Sequence, residues 1–230
     1  MKYVVFGLGN FGKALSLELT EMGHEVIGVD KNMKRVEQLR DKIIHAVCLD
    51  STDREAVATL PLQDSDAVVV AIGEDEASSL LTTALLKQMK VKRIIGRVVS
   101  DLQRTVLDAM SISEYILPEE ESAERLALKL HTVGVVDSFK ISEKYSIVEA
   151  LVPHRYVGKT VGEADFNNKY KVIVLTTIRQ QGRPRQKEGL EIKDFTRYAT
   201  EIATSNTRFE ENEVLVLFGE VTDIQRLLKA

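Results

Sequence analysis

An α/β fold is predicted for the first half of this sequence: a doubly wound parallel sheet, followed by a small α+β domain. Short apolar runs rich in β-branched residues alternate there with helical patterns. The run Ala67–Ile72 is apolar throughout, which is typical of a strand buried on both faces of a parallel sheet. After residue 132 the pattern changes to hairpin-like strands. We therefore expect one domain at residues 1–132 and a second at 133–230.

Strands and helices alternate through the first domain with little room for insertions. The strands are predicted at Lys2–Phe6, Glu25–Val29, His45–Leu49, Ala67–Ile72, Arg93–Val98 and Tyr115–Leu117. The helices are predicted at Phe11–Met22, Met33–Lys42, Asp53–Leu60, Glu76–Met89 and Leu102–Met110. In the second domain we expect strands at Val135–Ile141, Ser146–Leu151, Val172–Ile178 and Glu213–Phe218, and a final helix at Thr222–Leu228.

Composition excludes several classes of protein. The chain has 230 residues, 44% of them hydrophobic and 29% charged, with a formal net charge of −4. The negative charge argues against nucleic acid as a partner. The apolar runs fall short of the ~18 to 20 residues that cross a bilayer, and the N-terminus shows no signal peptide. A single cysteine, Cys48, without a metal-spaced Cys/His cluster fits a reducing cytoplasm.

A glycine-rich turn joins the first predicted strand to the first helix. Gly7-Leu8-Gly9-Asn10-Phe11-Gly12 has the pattern G-x-G-x-x-G. In this pattern the first glycine permits a tight turn, the second lets a pyrophosphate approach the backbone, and the third lets helix and strand pack closely. The helix N-terminus adds unpaired N–H groups for the phosphates. The turn therefore predicts a Rossmann-type nucleotide site.

Polar residues at the ends of the next strands extend this site. Asp30 lies roughly 20 residues beyond the glycines, where a carboxylate binds ribose hydroxyls and repels a 2′-phosphate. Together with the neighbouring Lys31 it predicts NAD, ATP or ADP as ligand and disfavours NADP; alternatively, Asp30 caps the next helix. Asp50 and Ser51 are expected near the adenine, or else Asp50, Ser51 or Thr52 is a helix N-cap.

The fourth strand ends at Ile72 and Gly73, at the expected topological switch point, where Gly73 would let backbone approach a ribose or phosphate. No catalytic set accompanies this pocket. The chain has no Tyr-x-x-x-Lys pair, and His24 and His45 lie at the opposite strand ends. Gly158-Lys159-Thr160 resembles the end of a Walker motif, but Pro153 occupies the position of its first glycine. Binding without turnover is favoured, with an NAD-dependent oxidoreductase as the alternative.

Several segments together resemble one family. They are KYVVFGLGNFGKAL at 2–15, GHEVIGVD at 23–30, DST at 50–52 and DAVVVAIGED at 66–75, continuing through 93–99 and 115–119. This series is similar to the RCK (KTN) domain of Ktr- and Trk-type potassium-uptake regulators. The turn at Val157–Glu163 resembles the C-terminal (TrkA-C) domain of the same family, in which it leads into a short helix.

The resemblance implies roles for individual residues. Gly7, Gly9 and Gly12 would hold the phosphates, with Arg97 near them or at a dimer seam. Glu119 would lie by the phosphates and help to hold a divalent or monovalent cation; the alternative is an acidic first helical turn. Relatives that discriminate ATP from ADP often have Arg where this chain has Asn10. ATP or ADP and NAD(H) therefore both remain open as ligands.

The same resemblance implies a cytoplasmic, non-enzymatic regulatory subunit, peripheral on the inner face of the membrane, that gates a Ktr- or Trk-type potassium transporter. Homodimers would assemble into a tetramer or an octameric ring. A helix at 119–131, with Ala123, Leu126, Ala127 and Leu130 on one face, would cross to a neighbouring protomer or pack on its own domain. A regulator of a potassium channel and a stand-alone sensor are further alternatives.

The segment 180–212 is longer than the corresponding loop of that family. Some relatives bind cyclic di-AMP in this domain, and Arg179, Arg183, Arg185 and Lys187 are the residues that could hold its phosphates. A solvated hairpin tip is the favoured interpretation.

Overall fold

The computed structural model describes residues 1–181, 185–187, 190–192 and 196–229. The chain divides into two units, Met1–Glu119 and Glu120–Ala230. The domain boundary expected after residue 132 stays a prediction, because one helix, Pro118–His131, begins in the first unit and continues into the second.

The first unit is built on a six-stranded parallel sheet. Its strands are β1 (Lys2–Phe6), β2 (Glu25–Asp30), β3 (His45–Cys48), β4 (Ala67–Val70), β5 (Ile94–Arg97) and β6 (Tyr115–Ile116). Its helices are α1 (Asn10–Glu21), α2 (Met33–Glu37), α3 (Arg54–Ala58), α4 (Glu76–Gln88) and α5 (Asp101–Ala109), with a 3-10 turn at Leu62–Asp64. The strand order β3-β2-β1-β4-β5-β6 confirms the doubly wound sheet and places its switch point between β1 and β4.

Both faces of this sheet are covered by apolar side chains. Along β4 every residue is buried, with Val68 and Val70 in one cluster and Val69 in the other. This alternation follows from the two-residue period of a strand. Burial of each such side chain stabilises the fold by about 1.5–3 kcal/mol. The continuous apolar run in the sequence is therefore explained by burial of the strand on both faces of the sheet.

Helix α2 is shorter than predicted, because it ends at Glu37 instead of Lys42. The cap residues also differ from the alternatives weighed above. Asn32, not Asp30, caps α2 by accepting a hydrogen bond from the Lys34 N–H group. Asp53 caps α3, so Asp50 and its two neighbours are not N-caps.

The second unit carries a five-stranded antiparallel sheet, which confirms the predicted α+β class. Its strands are β7 (Val135–Lys140), β8 (Tyr145–Leu151), β9 (Ile173–Gln181), β12 (Thr196–Ile202) and β13 (Val214–Glu220), and a separate pair is formed by β10 (Arg185–Lys187) and β11 (Leu190–Ile192). Its helices are most of α6 (Pro118–His131), which begins in the first unit, α7 (Val161–Ala164), α8 (Phe166–Tyr170) and α9 (Val221–Lys229), with a 3-10 turn at His154–Tyr156. In the sheet the order is β12-β9-β13-β8-β7.

An aromatic cluster lies in the core of the second unit. The ring of Phe166 stacks on Phe209 with centroids 5.6 Å apart and meets the edge of Tyr156 at 4.7 Å. Strand β12, which pairs with β9, was not predicted. It lies at the edge of the sheet and mixes polar with apolar residues, so the sequence carries little apolar periodicity there.

Candidate nucleotide-binding site

A cavity of about 430 Å³ opens at the carboxyl ends of the parallel strands in the first unit. Its lining residues are Gly7, Gly9, Asn10, Val29, Asp30, Lys31, Arg35, Leu49, Asp50, Ser51, Ala71, Ile72, Gly73, Glu74, Asp75, Ser78 and Arg97. This volume lies within the range of small-molecule sites. The position at the switch point between β1 and β4 is where open α/β sheets bind their ligands.

The glycine turn forms one wall of the cavity. Gly7 has a φ of 91° and donates its N–H group to the Val29 carbonyl oxygen at 2.8 Å. A Cβ atom at Gly12 would lie 1.9 Å from the Gly7 carbonyl oxygen, whereas one at Gly9 would meet nothing within 4 Å. Gly12 therefore permits the packing of the turn, and Gly9 leaves open space in front of the N-terminus of α1.

The other members of the predicted turn have different positions. Asn10 lines the cavity, while Leu8 is buried and uses its backbone N–H group to bind Asp30. Phe11 does not line the cavity; its ring lies 5.7 Å from the guanidinium carbon of Arg97. Leu8 and Phe11 therefore contact the lining residues Asp30 and Arg97 without lining the cavity themselves.

Asp30 is a buried carboxylate in a fixed orientation. Its side chain accepts hydrogen bonds from the N–H groups of Leu8 at 2.7 Å and Asn32 at 2.8 Å. A guanidinium nitrogen of Arg35 lies 3.6 Å from the same carboxylate. Because an ionised carboxylate has about four acceptor positions, these contacts leave capacity for a ribose hydroxyl.

Asp50 and Ser51 lie together at the far end of the cavity. Asp50 accepts hydrogen bonds from the backbone and the hydroxyl group of Thr52, at 2.9 and 2.8 Å. These bonds lower the pKa of Asp50 below its usual value. The Ser51 hydroxyl accepts a hydrogen bond from Thr82 at 2.8 Å. The Asp50 carboxylate is therefore held in its ionised form, which accepts hydrogen bonds.

The guanidinium of Arg97 closes the side of the cavity near β4 and β5. A Cβ atom at Gly73 would lie 2.7 Å from it, so a larger residue there would have to displace the end of this arginine. Arg97 also contacts the carbonyl oxygen of Ala71 and forms an ion pair with Glu119. Ile72 and Gly73 lie after the end of β4, in the loop. Glu119 itself is exposed and is not among the lining residues.

Two ion pairs cross the mouth of the cavity and were not predicted. Arg35 binds both carboxylate oxygens of Glu74, at 2.7 and 2.8 Å, and Lys31 lies 3.5 Å from Asp75. The bond from Arg35 lowers the pKa of Glu74. The sequence shows only the positions of these charges, because Glu74 and Asp75 directly follow Gly73 and Arg35 lies in the first helical turn after Asp30; it does not indicate their pairing.

Several other predicted features lie elsewhere or are not described. Within the described residues, no group of three or more His, Cys, Asp or Glu side chains could hold a metal ion, so the cation beside Glu119 stays a prediction. Arg179 is bound to the carboxylates of Glu210 and Glu213. Arg183 and the side chains of Arg185 and Lys187 lie outside the described residues. In the part of the chain that is described, no helix could span a membrane.

Comparison with known proteins decides the family. The model of the TrkA-N domain family matches residues 3–118. The chain belongs to this family. It is also 32% identical over 228 residues to Ktr system potassium uptake protein C of Bacillus subtilis (strain 168), covering 99% of this chain and 96% of that relative. Ktr system potassium uptake protein A of Vibrio alginolyticus is 32% identical over 162 residues, with 70% of this chain and 74% of the relative covered. These comparisons confirm the family resemblance found in the sequence.

Solved structures agree on the fold. The GsuK RCK domain covers 100% of this chain with a TM-score of 0.66 at 16% identity, and the chain spans 48% of that structure. The GsuK channel bound to NAD covers 99% with a TM-score of 0.61, also at 16% identity, and the chain spans 38% of it. At this identity the likeness concerns the fold alone.

Proposed function

We propose that this TrkA-N protein is a nucleotide-binding regulatory subunit that gates a membrane potassium transporter. One observation carries the proposal. The glycine turn, the oriented carboxylates of Asp30 and Asp50, and the guanidinium of Arg97 surround a single cavity at the switch point of the sheet. The relatives named for potassium uptake support the regulatory role.

The ligand is ATP, ADP or NAD(H), with its phosphates at Gly9, Asn10 and the N-terminus of α1. Its ribose hydroxyls bind Asp30, and its adenine lies at Asp50 and Ser51. NAD is the ligand named for one structure of similar fold. Asn10 carries no charge that would favour a third phosphate, so the pocket makes no strong distinction between ATP and ADP.

The ion pair of Arg97 with Glu119 links the ligand to the rest of the chain. Arg97 lines the cavity, and Glu119 is the second residue of α6, which continues to His131 in the second unit. Phosphate groups in the cavity compete with Glu119 for the guanidinium. Release of Glu119 changes the contacts of α6 and leaves a carboxylate free for a cation. A ligand shifts the protein between states only through such differential contacts.

Helix α6 carries the apolar stripe through which we expect homodimers to form. None of its side chains is buried, and Leu126 and Leu130 are 56% and 77% exposed. The stripe of Ala123, Leu126, Ala127 and Leu130 therefore does not pack on its own unit. Dimers joined here would assemble further, into a tetramer or a ring of eight, on the inner face of the membrane beside the transporter.

The test is calorimetric titration of the purified protein with ATP, ADP, NADH and NAD, with the oligomer size measured for each ligand. We expect binding of at least one nucleotide and a change of assembly with it. Arg97→Gln should weaken binding and uncouple it from assembly. Arg93→Gln is the matched control, because Arg93 loses the same charge just before β5, where it pairs with Glu114 away from the cavity. Absence of binding by all four nucleotides would refute the proposal.

A further inference from the structure

The ribose side of the cavity holds an arginine that the proposed function leaves unused. Arg35 lies in α2 with its side chain 33% exposed, between the buried Asp30 and the exposed Glu74. One nitrogen of its guanidinium is 3.6 Å from the Asp30 carboxylate, and another donates to both oxygens of Glu74. The arginine thus reaches the carboxylate that is suited to the ribose hydroxyls.

An arginine at this place has a specific chemistry. In dinucleotide folds, a carboxylate at the end of the second strand favours a free 2′-hydroxyl, and a nearby arginine accommodates a 2′-phosphate. The guanidinium fork matches phosphate as well as it matches carboxylate. Asp30 and Arg35 therefore favour opposite ligands. The contacts of Arg35 decide which preference prevails.

Glu74 reaches Arg35 from the opposite wall of the cavity. It belongs to the loop between β4 and α4. That loop is fixed by Asp75, which caps α4 by accepting hydrogen bonds from the N–H group of Ser78 at 3.0 Å and from its hydroxyl at 2.6 Å. This cap holds the backbone next to Glu74 in place. The hydrogen bond from Arg35 lowers the pKa of Glu74 below its usual value.

We propose that Glu74 is a specificity-determining residue that withholds Arg35 from a ribose 2′-phosphate. Asp30 excludes the 2′-phosphate by repulsion, and Glu74 excludes it by pairing with the guanidinium that lies 3.6 Å from Asp30. This inference rests on the proposed nucleotide site. It deepens that proposal, because it names the residue pair that separates NAD(H) and adenosine phosphates from their 2′-phosphorylated counterparts.

The experiment compares ligands that differ only in the 2′-phosphate. NADH is paired with NADPH, and 5′-AMP with adenosine 2′,5′-bisphosphate, so that the ratio is measured for one dinucleotide pair and one mononucleotide pair. In Glu74→Gln we expect the affinity ratio of the 2′-phosphorylated to the unphosphorylated ligand to rise about tenfold, the value of one charge-assisted hydrogen bond. Glutamine keeps the size of the side chain, and Glu74 is 77% exposed, so the fold is expected to remain intact.

Two further variants make the result specific. The double variant Glu74→Gln/Arg35→Gln should lose the gain, because Arg35 carries it. Glu76→Gln is the matched control: Glu76 lies two residues away, bonds Ser100 and is not among the lining residues, so the ratio should stay at the wild-type value. An unchanged ratio in Glu74→Gln, an equal rise in Glu76→Gln, or a gain that persists in the double variant overturns the inference alone. Failure of all four ligands to bind the wild-type protein overturns this inference, and failure of ATP and ADP to bind as well overturns the nucleotide site.

Discussion

The two units of this chain place their charged side chains in opposite ways. In the first unit the parallel strands all end at one edge, so polar residues from separate strand ends meet in one cavity. In the second unit the antiparallel strands end at both edges, and charged residues form separate pairs, as Arg125 does with Asp137 and Arg197 with Glu149. Strand direction thus brings polar groups together at one end of the sheet in the first unit and provides no such common end in the second.

The largest expected effect concerns the glycines that give the first unit its cavity. Gly12→Val should destabilise this unit by about 5 kcal/mol or more, because its Cβ would overlap the Gly7 carbonyl oxygen at 1.9 Å. Gly9→Ala has free space and a φ of −64°, which suits any residue. It should keep its thermal stability and lose nucleotide affinity. Melting curves and titrations of both variants test this difference; equal melting temperatures for the two would contradict it.

Phe166→Ala should give the next largest effect, confined to the second unit. Phe166 is 2% exposed and contacts Tyr156 and Phe209, and truncation of a buried phenylalanine costs about 3–5 kcal/mol. Hydrogen exchange followed by mass spectrometry should show faster opening of β8 and β13 and unchanged protection of β1 and β4. Equal loss of protection in both sheets would show that the two units are not separate in stability.

A buried acid in each unit sharpens the comparison. Asp30 accepts two backbone N–H groups, and Glu213 accepts the Glu210 N–H group and the Arg179 side chain. Replacing either acid by alanine leaves a backbone N–H group without its acceptor, so each variant should lose about 2 kcal/mol of unfolding free energy. Only Asp30→Ala should also abolish nucleotide binding. Denaturant unfolding and titration of both variants measure the two effects, and loss of binding in Glu213→Ala would refute the assignment.

The sequence predicts the first unit better than the second for a physical reason. A strand buried on both faces, such as β4, has a continuous apolar signature, and G-x-G-x-x-G together with Asp30 identifies the ligand end of the sheet. Strand β12 has no such signature, because its sequence mixes polar with apolar residues without a clear alternation. The sequence therefore predicts best those strands whose residues must be apolar because they are buried.

The site shows the same limit. Gly73 and Arg97 were predicted as separate features of two strand ends, but their contact, in which the guanidinium fills the space of the absent Cβ, depends on the pairing of β4 with β5. The pairing of Arg35 with Glu74 joins residues 39 positions apart. No local pattern distinguishes it from two solvated charges. Such contacts across the cavity require the fold.

The smallest expected effect is a pH dependence in the second unit. The hydrogen bond from Arg125 lowers the pKa of Asp137 below its unfolded value of about 3.9. Because the folded state binds this proton less readily, the pair stabilises the fold above that pH, and its contribution is lost as the pH falls toward the folded pKa. The exposed pair is screened by solvent, so the effect is small.

Unfolding free energies of the wild type and Asp137→Asn should differ by a constant from pH 7 to about pH 5 and converge below about pH 4. A difference that persists at pH 2 would assign the effect to packing instead of charge. The separate ion pairs of the second unit would then contribute to its unfolding free energy through packing alone.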